Sequence, residues 1–138
     1  MDRRRRIRLC VWLIILGISN FILYAIIYAI IGGDAPNGEI NEAGHHFVRG
    51  HFIHATQGFE CEVSRWVWIY SYIHSITIWP SIAAVLLAML TLARPHILAT
   101  YQRGIMKGST LVTVMATVIV LVTSMIMLVF IMEFVRTV

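Results

Sequence analysis

Three long, predominantly apolar stretches, Leu9 to Ile31, Trp66 to Ala93 (interrupted by His74 and Pro80) and Ser109 to Met132, constrain this chain more than any motif in it. Each is at least as long as the ~20 residues a helix needs to cross a bilayer core. Hydrocarbon offers the backbone no water to bond with, so a spanning segment must be a helix or a barrel strand, and these lengths select helices. The sequence predicts an all-α integral membrane protein, a single membrane domain over residues 1–138 with spans at about 9–31, 66–93 and 109–132. Composition agrees: 59% of the residues are hydrophobic and 13% charged, whereas a soluble domain averages roughly 45–50% and about 25%. The residues left over are too few for a separate soluble domain.

The isoelectric point near 9.5 would suit a nucleic-acid binder, but the basic residues are placed as flanks of the spans. Arg3, Arg4, Arg5, Arg6 and Arg8 precede the first span, and Arg94, Arg103 and Lys107 lie in the 94–108 loop. The 32–65 loop holds Arg49 and Arg65 against Asp34, Glu39, Glu42, Glu60 and Glu62. Basic flanks stay in the cytoplasm. The N-terminus and the 94–108 loop are therefore expected inside, and the 32–65 loop and C-terminus outside, as in a bacterial inner membrane with a periplasmic loop. The expected partners are the lipid bilayer and other integral membrane subunits, with no nucleic acid. The first span is far longer than the apolar core of a cleaved signal and reads as an uncleaved anchor. Cys10 and Cys61 would then lie on opposite sides of the membrane and cannot bond to each other. Cys61 is left to a bond with a partner, a ligand role or burial.

Each span carries one polar or small face: Gly17, Asn20, Tyr24 and Tyr28 in the first; Tyr70, Ser71, His74, Thr77 and Ser81 in the second; Thr110, Thr113, Thr117 and Ser124 in the third. Lipid gives polar side chains nothing in return, so these faces are expected to turn toward other helices. Trp66, Trp68, Tyr70 and Tyr72 mark an aromatic belt at the external interface. Pro80 should kink the second span, and Ala93-Arg94-Pro95-His96 should end it. Gly32 to Gly38, with Pro36 and Asn37 among them, reads as a run of turns.

Residues with chemistry to offer concentrate in the 32–65 loop: His45, His46, His51 and His54, followed by Glu60, Cys61 and Glu62. Imidazole, thiolate and carboxylate are the ligands of zinc and copper, and histidine is also the side chain that titrates near neutral pH. His45, His46, His51, His54, Cys61 and Glu60 are thus candidate metal ligands. No HExxH, paired CxxC or CxxCH pattern accompanies them. Phe47, Val48, Phe52, Ile53 and Phe59 interleave with the histidines, which also suits an amphipathic segment lying on the membrane or on a partner.

The second candidate is His74, about 12 Å inside the second span from its external end. An ionisable group at that depth is a functional hypothesis by default. Three readings stand open: an interhelical histidine hydrogen-bonded by Tyr70, Ser71, Thr77 or Ser81; an axial ligand to haem b or a chlorophyll; or a proton or quinone contact. Three helices with a histidine in the second resemble the small cytochrome b anchor subunits of succinate dehydrogenase. Their arginine-bearing SxxHRxTG-type stretch is absent, since Ser71-Tyr72-Ile73-His74-Ser75-Ile76-Thr77 contains no arginine. Light-harvesting polypeptides likewise place a histidine in a helix near a tryptophan, but in one span rather than three. Neither likeness assigns a family or a residue role.

Small size, one-sided polar faces and the lack of a catalytic constellation favour an accessory or structural subunit of a larger membrane complex, of the respiratory or photosynthetic kind. A haem- or chlorophyll-binding subunit using His74, and an external metal-binding protein using the 45–62 segment, are the alternatives. Catalysis by this chain alone is not expected.

Overall fold

The computed structural model describes residues 2–50, 60–102 and 107–138. Three long helices dominate: α1 (Arg3–Ile31), α2 (Arg65–Thr100) and α3 (Gly108–Thr137), each long and apolar enough to cross a membrane. Neighbouring helices run antiparallel, so that Asn20 meets Ser81 across α1 and α2, and Tyr72 meets Phe134 across α2 and α3. α1 and α3 both pack on α2 rather than on each other, which makes the helices an open row with α2 in the middle.

The helices are longer than the apolar stretches. At 1.5 Å per residue α2, with 36 residues, extends about 54 Å, against ~30 Å of hydrocarbon. Pro95 does not end it: the helix continues to Thr100. A proline removes one backbone donor but keeps a helical φ, and the extra turns are supported by α3. Gly108, the first residue of α3, lies so close to Ile97 and Leu98 of α2 that a Cβ there would stand 3.0 Å from their backbone.

The expectation of an all-α protein is corrected in the 32–65 segment. A three-stranded antiparallel sheet in the order β1-β2-β3 occupies it: β1 (Asp34–Ile40), β2 (His46–Arg49) and β3 (Glu60–Val63). α1 ends at Gly32, whose φ of 84° is open to a residue without a Cβ, and the N–H groups of Gly32 and Gly33 both donate to the Tyr28 carbonyl. The turn-forming residues that follow make an irregular strand instead of a loop. Asp34 pairs with Arg49 and Glu39 with Phe47, so Ala35 to Gly38 bulge out opposite the single residue Val48. The hairpin from β1 to β2 is closed by Asn41, whose side-chain oxygen accepts from the N–H groups of Ala43 (3.0 Å) and His45 (2.8 Å).

The core lies where this sheet meets the first turns of α2. Ala35, Val48, Trp68 and Tyr72 are buried there, with Ile31, Cys61, Val63 and Phe134 packed around them. Val48 is wholly buried, so Phe47 and Val48 belong to a strand with one face packed on this chain's own core. Phe52, Ile53 and Phe59 lie outside the described residues. Ser64 caps α2, its hydroxyl accepting from the Val67 N–H at 3.5 Å. The sheet thus joins the end of α1 to the start of α2 and fixes how the two helices meet.

Candidate functional site

The α1–α2 seam holds the one connected polar network within the spans that the described side chains form. Gly17 permits the close approach: a Cβ at that position would run into Val85 and stand 3.3 Å from the Ser81 carbonyl oxygen. One turn along α1, Asn20 donates through Nδ2 to Ser81 Oγ (2.9 Å), and its Oδ1 lies 3.2 Å from His74 Nε2. The other His74 nitrogen, Nδ1, is 3.3 Å from the Tyr70 hydroxyl. Both ring nitrogens are therefore engaged, and the residue is buried with 7% of its surface exposed. An amide oxygen can only accept, so the contact with Asn20 places a proton on Nε2 and leaves Nδ1 to accept from Tyr70 in the neutral ring. Tyr24 and Tyr70 stand edge-on to the imidazole, with centroids 5.5 and 5.6 Å away.

The network continues toward the sheet. Tyr24 donates to Asp34 Oδ2 at 2.8 Å, and Asn37 donates to Asp34 Oδ1 at 2.6 Å. Asp34 is buried at the head of β1. Ser71 Oγ accepts from the Ala35 N–H (3.1 Å), and Ser75 donates back to the Ser71 carbonyl (2.9 Å). Thr77 and Ser81 are anchored in the same way, to the carbonyls of His74 and Thr77. This arrangement satisfies polar groups in a low-dielectric seam and locks the helix register. For His74 to ligate a metal through Nε2, the ring would first have to give up Asn20, and through Nδ1 it would have to give up Tyr70.

Of the partners the sequence offers for His74, Tyr70 bonds its ring; Asn20, its other partner, and the Asp34 and Ser75 of the wider network are not singled out there. Asn20 was legible only as part of the α1 polar face. Its spacing from Gly17, Tyr24 and Tyr28 is helical, and it is the only side-chain amide in that span. Asp34 lies ten residues beyond Tyr24, past the end of the helix, and only the fold of β1 brings it back.

The loop candidates are divided between the two faces of the sheet. His46, Val48, Cys61 and Val63 lie on the face turned to the core, and the His46 ring stands edge-on to Trp68 at 5.6 Å. Cys61 is half-buried against that core and unpaired. Strand alternation sends Glu60 and Glu62 to the opposite face, where Glu60 pairs with Arg49 and Glu62 with His45. The hydrogen bond to Glu60, and then its charge, hold the Arg49 guanidinium above its ordinary range. Cys61 and Glu60 consequently point away from each other. Among the described residues no three His, Cys, Asp or Glu side chains come together as a metal site. His51 and His54 lie outside the described residues.

No family model, characterised protein or solved structure matches this chain.

Proposed function

We propose that this chain is a small accessory subunit of a larger membrane protein complex. The observation that carries the reading is the open row of helices. Of the helices, α1 and α3 each pack on α2 and not on each other, so among the described residues no further helix covers the broad faces of the row. The third helix adds to it: Thr110, Thr113 and Thr117 share one side of α3, and all three are exposed. Hydroxyls on a span are used where another helix approaches, and among the described residues no helix covers them. The connected polar groups are spent on holding α1 to α2, which is a structural task. The finer part of the reading is orientation: the arginine-bearing end of α1 lies in the cytoplasm, and the sheet faces the periplasm of a bacterial cell.

Purification of the full chain from its native membranes in a mild detergent tests this. Other integral membrane subunits should arrive in stoichiometric amount and remain through size exclusion. Recovery of the chain alone, as a stable monomer or homo-oligomer, overturns the reading.

A further inference from the structure

The first two turns of α1 pose an electrostatic problem that the protein does not solve by itself. The helix begins at Arg3, so Arg3, Arg4, Arg5, Arg6 and Arg8 are all helical, and all are exposed. At 100° per residue they surround the axis instead of forming one face. A helix N-terminus is the positive end of the macrodipole and leaves N–H groups without acceptors, so cations there are unfavourable. Arg3 with Arg6, Arg5 with Arg8 and Arg4 with Arg8 add like-charge pairs three and four residues apart. The local counter-charge is a single carboxylate: Asp2 is the N-cap residue but makes no capping hydrogen bond, and the first turn itself holds no acidic residue. The same end of the row contributes Arg94 and Lys107, and among the described residues its only carboxylate is Asp2.

We infer that the Arg3–Arg8 turns form a collar for anionic phospholipid headgroups, and that these phosphates hold the segment helical. Position supports this occupant. Arg8 is followed directly by Leu9 and the apolar span. Arg3 to Arg8 covers about 8 Å of helix, close to the thickness of one headgroup layer. Guanidinium grips phosphate oxygens in a planar two-point contact, and an anionic surface attracts each basic residue beside a span. A collar suits headgroups, which surround a spanning helix on all sides. A nucleic-acid duplex needs the charges on one face, clear of lipid. The inference does not depend on the accessory-subunit reading.

The test uses the full chain in nanodiscs of phosphatidylcholine alone, or of equal parts phosphatidylcholine and phosphatidylglycerol. Amide hydrogen exchange of Arg6, Ile7 and Arg8 is the readout, since the Arg6 N–H, bonded to the Asp2 carbonyl, is the first that the helix itself protects. Exchange should be slower in the phosphatidylglycerol discs by about tenfold or more, and high salt should shrink the difference. Replacing all five arginines (Arg3→Gln, Arg4→Gln, Arg5→Gln, Arg6→Gln and Arg8→Gln) should abolish the lipid dependence. The discs present the same lipid on both sides, so an inverted insertion of that variant does not affect the result. Equal protection in both lipids overturns the inference, as does lipid dependence that survives in the variant. Protection in phosphatidylcholine discs by inorganic phosphate or by duplex RNA, with no effect of phosphatidylglycerol, also overturns it.

Discussion

His74 and Asn20 are each other's reason for being inside the membrane. Without the other, Asn20 would keep Ser81 and His74 would keep Tyr70, but each would be left with one polar atom unpaired in hydrocarbon; together they close a chain of hydrogen bonds. Measured bonds of this kind contribute modestly, because the separated helices also find partners. His74→Ala should cost about 1–2 kcal/mol in reversible unfolding from mixed micelles. Combined with Asn20→Ala, the double-mutant cycle should give a coupling of about 0.5–1.5 kcal/mol. A coupling of zero would mean that the two side chains do not bond. The polar faces of the two helices were readable from spacing, since Gly17, Asn20 and Tyr24 recur at one helical period. Which atom meets which was not, because that depends on the depth at which α1 slides against α2, and the Gly17–Val85 contact sets that depth.

At the scale of elements, the strands show where local reading fails. β2 and β3 have four residues each, too short for alternation to stand out from noise, and β1 contains Pro36 and Gly38, residues that argue against a strand. The bulge opposite Val48 accommodates them. The sheet forms because its inner face has Trp68 and Tyr72 to bury against, a partnership visible only in three dimensions. Val48 is the centre of that contact. Val48→Ala removes about two methylene equivalents and leaves a small cavity, a cost of about 2 kcal/mol. Hydrogen exchange should report faster opening of His46–Arg49 and Glu60–Val63, with the middles of α1 and α3 unchanged. Uniform loss of protection across all three helices would show that the sheet is no separate unit. The helices, by contrast, were legible because a predominantly apolar stretch of more than twenty residues with no charge inside it admits few alternatives. Their ends were less legible: α1 begins at Arg3, α2 runs past Pro95 to Thr100, and α3 continues to Thr137.

Taken whole, the molecule is electrically lopsided. One end carries the arginines of α1 with Arg94 and Lys107; the other carries Asp34, Glu39, Glu42, Glu60, Glu62 and Glu133 against Arg49, Arg65 and Arg136. That asymmetry is the ground for the orientation proposed above. Glu42, exposed in the β1–β2 hairpin, is the place to test it. In a Cys10→Ser, Cys61→Ser background, Glu42→Cys should react with a membrane-impermeant maleimide added to intact spheroplasts. Reaction only after lysis would reverse the orientation.

The long reach between Asn20 and its partners also has a consequence in time. Asn20 and Ser81 are 61 residues apart. At ~5–20 residues per second of synthesis, the amide of α1 exists for about 3–12 s before Ser81 has been made. During that interval its only hydrogen-bonding company is water, headgroups or the insertion machinery. α1 should therefore linger beside that machinery and leave it together with α2, as a pair. The order of release, more than the final stability, is what a weakened seam would disturb first.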